Sequence, residues 1–175
     1  KWIANRELVK TKSGEVVDAK SLAAQIGLIK AIKDYNLKRM ISFHSRVKRA
    51  EDFASSIQEA SNIVDAGHKP DGCIWADVVS GQMSTHKRRL KLEQLKSLTQ
   101  GDIGLLSNAR CLSEGIDVPS LDGVAFIDPK GSQVDIIQAV GRAIRLSEEK
   151  TLGTIFLPVF IKDGDDAEKS IQSSN

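Results

Sequence analysis

The sequence predicts an α/β domain built on a mainly parallel β-sheet with helices on both faces. Two short apolar runs, 103–106 and 123–127, show no alternation with polar residues, which is typical of strands covered on both faces. Segments with apolar residues at helical spacing lie before and between such runs, so strand and helix candidates alternate along most of the chain. This order favours parallel strands joined by crossover helices. Ligands of such sheets bind beyond the carboxyl ends of the strands.

The first half of the chain contributes two helices separated by one strand. A helix over about 19–35 is predicted from apolar residues at helical spacing, namely Leu22, Ile26, Ile29 and Ile32. Residues 40–43 predict a short strand. A second helix follows, for which Ser45 is a candidate N-cap and Phe53 and Ile57 belong to the inner stripe.

The second half repeats the same alternation. Turn residues fill 66–72, and the elements predicted after them are a strand at 73–79, a basic amphipathic helix at 84–98, strands at 103–106 and 123–127, a helix at 132–144 and a last strand at 153–160. Pro158 predicts that this last strand is an edge strand or is interrupted.

Length and composition predict one soluble globular domain. The chain has 175 residues, of which 27% are charged and 41% hydrophobic, and its net charge of +2 neither requires nor excludes a nucleic-acid partner. Residues 1–18 are interpreted as a lead-in from a longer parent chain, 19–162 as the domain and 163–175 as a polar tail. No apolar run approaches membrane-spanning length, so no membrane partner is expected. Cys73 and Cys111 have no metal-ligand spacing and are expected to be buried in a cytoplasmic protein.

The stretch Gln138-Ala-Val-Gly141-Arg142-Ala-Ile-Arg145 is the strongest functional pattern. On a helix, Gln138, Arg142 and Arg145 share one face, and apolar residues occupy the opposite face. Core packing does not require two guanidiniums and an amide on one stripe, whereas a polyphosphate ligand does. The competing interpretation is a solvated helix face with two ordinary surface arginines.

Four motifs in order resemble the second RecA-like lobe of a superfamily 2 helicase or translocase. The stretch 40–46 resembles motif IV, Ser80-Gly81 followed by Arg88 resembles the family's Gly-x6-Arg element, 107–119 resembles motif V, and 138–145 resembles motif VI. The wording of motifs V and VI is most similar to helicase subunits of restriction-modification enzymes. DEAD-box RNA helicases fit less well, because their last motif usually begins His-Arg.

The resemblance implies a role for each matching residue. Arg145 is expected to be the principal arginine finger and Arg142 its partner, with Gln138, Gly115 and Asp117 also on the nucleotide side. The residues expected to contact the nucleic-acid backbone are Ser45, Arg46, Ser80, Gly81, Ser107, Asn108 and Arg110.

Each of these assignments has a plainer alternative. Ser45 is equally plausible as a helix N-cap, and His44 as a neighbouring residue whose ring is hydrogen-bonded within the protein. The stretch 115–119 is also compatible with an ordinary turn. The basic run 86–91 is more typical of a solvated helix face than of a nucleic-acid footprint. Glu114 stands where DEAD-box proteins carry an arginine, which weakens the case for an RNA contact there.

The chain contains no Gly-x4-Gly-Lys-Ser/Thr phosphate loop and no acidic pair placed to hold Mg²⁺ after a strand. We therefore expect ATP and Mg²⁺ to act in a full two-lobe enzyme, with neither bound tightly by this chain, which alone would be inactive. The expected partners are a preceding RecA-like lobe that carries the phosphate loop, and DNA, with RNA left open. The alternatives are a non-catalytic nucleic-acid-binding or scaffold module and an unrelated doubly wound enzyme.

Overall fold

The computed structural model describes residues 8–10, 16–99, 101–109, 121–128 and 153–160. The elements in this part of the chain are strands β1 (Leu8–Lys10) and β2 (Val16–Asp18), helix α1 (Ala19–Asp34), strand β3 (Arg39–His44), helix α2 (Val47–Ile63), a 3-10 turn at Ala66–His68, strand β4 (Ile74–Ser80), helix α3 (Thr85–Ser97), and strands β5 (Ile103–Ala109), β6 (Gly123–Asp128) and β7 (Thr154–Phe156).

Strands β3 to β7 form one five-stranded sheet in the order β4-β5-β3-β6-β7, and all four pairings are parallel. The predicted α/β class with a parallel sheet is therefore confirmed. β7 lies at an edge of the sheet, as Pro158 predicted, but it ends at Phe156 and is shorter than the predicted strand. Parallel pairing brings the carboxyl ends of β3, β5 and β6 to the same edge.

Helices cover both faces of the sheet. Neighbouring residues of one strand point to opposite sides, and Met40 belongs to a core cluster with α1 and α2 while Ile41 belongs to a second cluster with α3. On β5, Leu105 belongs to the cluster with α1 and α2, and Leu106 belongs to the cluster with α3; both are completely buried. The unbroken apolar runs arise from this burial on both sides.

A buried amide joins α1 to α2. Gln25 has no exposed surface, and its Nε2 donates to the Phe53 carbonyl oxygen at 2.9 Å and to Ser56 Oγ at 2.8 Å. Buried polar groups need such partners, because an unpaired donor in the interior destabilises the fold. The contact holds the first half of α2 beside the carboxyl end of the sheet.

The antiparallel hairpin of β1 and β2 was not predicted, because three-residue strands are too short to show a period. Two local predictions were wrong. Ser45 does not cap α2: Arg46 occupies the N-cap position, and no side-chain capping bond forms there. Cys73 is exposed rather than buried, since it precedes β4. Cys111 and the predicted helix at 132–144 lie outside the described residues.

The helix predicted at 84–98 is present as α3, and Ser84 is its cap, accepting a hydrogen bond from the Lys87 N–H at 3.3 Å. None of the helices in the described ranges combines the length and apolarity required to cross a bilayer.

Candidate functional site

Four predicted binding residues lie at strand ends along one edge of the sheet. Ser80 is the last residue of β4, Ser107 and Asn108 lie near the end of β5, and Ser45 directly follows β3. The parallel register that aligns Ser80 with Ala109 and His44 with Ala109 brings these strand ends together. The sheet therefore gathers segments that are far apart in sequence.

Arg46 is the one exposed cation among the predicted contacts that the structure describes. Its backbone is extended, with φ −138° and ψ 147°, so that it links the end of β3 to the first turn of α2. Its side chain forms no ion pair with any other described residue. An exposed guanidinium in this position can donate hydrogen bonds to a phosphate oxygen.

The turn that follows β4 is tied to the end of β5. The Gly81 N–H donates to the Ala109 carbonyl oxygen at 3.3 Å, and the Met83 N–H donates to that of Ser80 at 3.1 Å. Arg88 then reaches back from α3 and donates from Nη2 to the Met83 carbonyl oxygen at 3.2 Å. Gly81 is exposed and Ser80 is buried, so the glycine backbone is what this turn presents to a ligand.

Ser107 and Asn108 do not present their side chains at the surface. Ser107 has no exposed surface and Asn108 is 3% exposed, since β5 is a central strand. Ser107 Oγ lies 3.0 Å from Ser42 Oγ on the neighbouring strand. The side-chain contact with a phosphate suggested for Ser107 does not match this placement, and the roles of both residues stay predictions.

Sequence reasoning missed a polar cluster around Asp128, the last residue of β6. Its carboxylate accepts from Ser45 Oγ at 2.6 Å and from Arg49 Nη1 at 2.6 Å. The Ser45 N–H approaches at 3.4 Å, and Nδ1 of the buried His44 ring also lies 3.4 Å away. The available signal was a carboxylate placed directly after the apolar run 123–127 and before Pro129.

Burial of Asp128 opposes ionisation, but the hydrogen bonds from His44, Ser45 and Arg49 outweigh it and lower its pKa to about 2. Its side chain is 20% exposed. The carboxylate is thus charged across the whole neutral range and is already surrounded by donors. It is therefore poorly suited to act as a ligand for a metal ion.

The low pKa of Asp128 predicts a stability effect that depends on pH. Because the folded-state pKa of about 2 lies below the ordinary value of 3.8, the ionised group stabilises the fold above about pH 4, and this contribution is lost as the pH falls toward 2. At neutral pH, the urea concentration at the unfolding midpoint should be much lower for Asp128→Asn than for the wild type. This difference should become smaller as the pH falls from about 4 toward 2.

Asp71→Asn is the matched control for that experiment, because it removes the same charge from a carboxylate that is 92% exposed and pairs with Lys33 at 2.8 Å. Its midpoint should differ little from the wild type at any pH. A difference between Asp128→Asn and wild type that stays constant down to about pH 2 would contradict the assignment.

A cleft of about 900 Å³ adjoins the Asp128 cluster, between the first halves of α1 and α2. Its cations already have partners: Arg49 contacts Asp128, Lys48 lies 2.7 Å from Asp52, and Lys20 sits 5.6 Å from the centre of the Phe160 ring. In the described ranges, no group of three or more His, Cys, Asp or Glu side chains is arranged to hold a metal ion.

The predicted nucleotide residues lie outside the part of the chain that the structure describes. They are Gly115, Asp117, Gln138, Arg142 and Arg145, together with Arg110 from the predicted nucleic-acid contacts. Their roles stay predictions. In the sequence, they follow the described strands β5, which ends at Ala109, and β6, which ends at Asp128.

Comparison with protein families gives one match to most of the chain. The model for the helicase conserved C-terminal domain matches residues 24–147. A protein of African swine fever virus, named as a helicase, is 42% identical over 55 residues, which are 31% of this chain and 6% of the viral protein. The chain therefore spans only a small fraction of that relative.

Solved structures show the same fold. The DNA-bound ATP-dependent Type ISP restriction-modification enzyme LlaBIII matches with a TM-score of 0.71 and 30% identity, covering 86% of this chain and 10% of the enzyme. Domain 2 of the DEAD-box helicase Mss116p, bound to an RNA duplex, matches with a TM-score of 0.54 and 21% identity, covering 79% of this chain and 48% of the other. At that lower identity the likeness concerns the fold alone.

Proposed function

Since the chain belongs to the helicase conserved C-terminal domain family, we propose that it acts as the second motor lobe of an ATP-dependent helicase or translocase that moves on DNA. In this role the lobe grips the sugar-phosphate backbone of a strand at the carboxyl edge of its sheet. It also supplies arginines to ATP that a preceding lobe binds. The chain is a helicase C-terminal lobe of superfamily 2. The contact with the strand backbone and the contact with ATP are what we propose for it.

The observation that carries the proposal is the exposed Arg46 at the end of β3. The guanidinium stands beside strand exits that the parallel sheet brings together, and it has no ion-pair partner among the described residues. Across that edge the exposed Gly81 offers close access to the backbone. A cation and an accessible backbone turn suit phosphate contacts, which position a strand without reading its bases.

The nucleotide contact is proposed for Arg145 and Arg142, with Gln138 beside them. When bound by the preceding lobe, ATP with Mg²⁺ supplies the phosphoryl group whose hydrolysis drives the motor. The two guanidiniums of this chain would stabilise the negative charge that develops there and draw the lobes together. Gly115 and Asp117 are proposed for the nucleotide side as well, where Asp117 would accept a hydrogen bond from a ribose hydroxyl or contact the motif at 138–145.

DNA is proposed as the strand on two grounds. The solved relative at 30% identity is a restriction-modification enzyme bound to DNA. The motif at 138–145 also begins with glutamine rather than with the His-Arg that is usual in DEAD-box RNA helicases. RNA is the alternative outcome of a direct binding comparison between the two nucleic acids.

Arg46→Ala tests the grip on the strand. We expect single-stranded DNA to bind more weakly by a similar factor for all sequences, because the lost contact is with a phosphate. The plot of log affinity against log salt concentration has a negative slope, and the magnitude of that slope should decrease by about one. Fluorescence anisotropy with several unrelated oligonucleotides across a salt series measures both quantities.

Lys33→Ala is the matched control for the grip. It removes a cation near the C-terminal end of α1, where Lys33 pairs with Asp71 at 2.8 Å, away from the carboxyl edge of the sheet. Affinity and salt dependence should stay at wild-type values. A loss in Arg46→Ala that depends on the oligonucleotide sequence would contradict a contact with the backbone alone.

A further inference from the structure

We propose that Asp128 is a positioning residue that couples the strand contact at Arg46 to the segment carrying Arg142 and Arg145. This inference rests on the function proposed above and names a residue that touches neither the strand nor the nucleotide. Asp128 would act by holding the exits of β3 and β6 in one fixed geometry.

The register between β3 and β6 is irregular at the point that brings Asp128 to His44. Phe43 pairs with Phe126, and the next residue, His44, pairs with Asp128 rather than with Ile127. One extra residue in β6 therefore re-aims the strand end, as β-bulges do beside functional sites. A regular register would place the apolar Ile127 side chain opposite the His44 ring. The bulge thus serves to place a carboxylate there.

His44 extends the contacts of Asp128 across the sheet to β5. The side chain of His44 is 1% exposed, and its Nε2 lies 3.0 Å from Ser42 Oγ. Ser42 Oγ in turn lies 3.0 Å from Ser107 Oγ. Ser42 Oγ therefore lies within hydrogen-bond distance of both the His44 ring and the Ser107 hydroxyl. Three neighbouring strand ends are thereby linked inside the sheet.

On its other side, Asp128 holds the segment around Arg46. Ser45, which precedes Arg46, donates from both its hydroxyl and its backbone N–H, and Arg49, three residues later, donates from its guanidinium. Arg46 is therefore bracketed by two residues that bind one carboxylate. A displacement of Arg46 by a bound strand must alter these hydrogen bonds or carry Asp128 with it.

Asp128 also begins the segment that leads to the arginines. It ends β6, and the chain runs from it through 129–137 to Gln138, Arg142 and Arg145. Charge-assisted bonds at 2.6 Å are among the stronger side-chain contacts, so they suit the transmission of a shift between two elements. Coupling of this kind is established by measurement of both sites and not by position alone.

The test measures ATP turnover with and without single-stranded DNA, and DNA affinity, in the longer polypeptide or complex that contains the preceding lobe. Asp128→Asn keeps the size of the side chain but removes its charge. It should leave basal turnover unchanged, weaken DNA binding less than Arg46→Ala does, and lower the ratio of DNA-stimulated to basal turnover about tenfold. Arg49→Ala, which removes one donor on an exposed side chain, should lower the ratio about threefold.

Lys48→Ala is the matched control, because Lys48 is adjacent to Arg49 and equally cationic but pairs with Asp52 at 2.7 Å. Its stimulation ratio should equal that of the wild type. A role of Asp128 in stability alone would lower basal and stimulated turnover in proportion, and that result overturns the inference.

Two further outcomes separate this inference from the proposed function. If the wild type is stimulated by DNA and Asp128→Asn is stimulated equally, the coupling role is wrong and the motor function stands. If the wild type shows no stimulation, the proposed function fails and the inference fails with it. If Asp128→Asn does not fold, Arg49→Ala provides the test. An unchanged ratio of DNA-stimulated to basal turnover in Arg49→Ala also overturns the coupling role.

Discussion

Arg145→Ala should lower ATP turnover about a thousandfold or more in the protein that contains the preceding lobe, while nucleotide affinity changes little. The expected loss is large because an arginine finger stabilises charge that appears only in the transition state. Steady-state turnover with saturating DNA measures the first quantity. Equilibrium titration with a labelled, slowly hydrolysed ATP analogue measures the second.

Arg89→Ala is the matched control for the finger. This exposed arginine on α3 lies 3.5 Å from Glu93 and one helical turn before it, so its removal deletes a guanidinium that has no proposed role. Turnover should be that of the wild type. Unchanged turnover in Arg145→Ala would instead favour the alternative in which the lobe is a non-catalytic nucleic-acid-binding or scaffold module.

Phe53→Ala should destabilise the fold by about 3–5 kcal/mol, because it leaves a cavity in a core that cannot fully collapse. Phe53 is 1% exposed, and its ring centre lies 4.9 Å from that of His44. It also anchors α2 against the sheet face that α1 covers. Urea unfolding followed by circular dichroism gives the change in the free energy of unfolding.

Phe160→Ala is the matched control for this substitution. The Phe160 ring is 38% exposed and lies under Lys20, so its removal should cost less than about 1 kcal/mol. A loss in Phe53→Ala as small as that of Phe160→Ala would mean that the core between α1 and α2 does not support the sheet as described.

Much of the fold could be predicted because long, strongly patterned segments carry their own signal. The helix at Thr85–Ser97 lies within one residue of the predicted bounds, and the strand at Ile103–Ala109 begins where it was predicted but continues beyond residue 106. The hairpin of β1 and β2 was missed, since its strands are too short to show alternation. Ser45 was a plausible cap by type, but a tertiary partner, Asp128, takes its hydroxyl.

In the candidate site too, residues whose role depends on local sequence could be predicted, and residues whose role depends on distant partners could not. Arg46 could be found from local order, since a cation directly after a strand lies at the ligand-binding edge of a parallel sheet. Asp128 could not be assigned a role, because its partners His44 and Arg49 are about eighty residues distant in sequence. Nor does local sequence reveal the single-residue change of register that brings Asp128 to His44.

The sequence by itself determined the class of this protein: the alternation of buried strands and helices, the order of the four motifs, and the polar residues that follow the strands. Those features are local, since periodicity and turn chemistry depend on near neighbours. The tertiary structure alone decided which of these polar side chains face solvent and which are turned inward. Packing left Arg46 exposed and enclosed Ser107, because burial and hydrogen-bond partners are set by strands that meet only when the sheet is assembled.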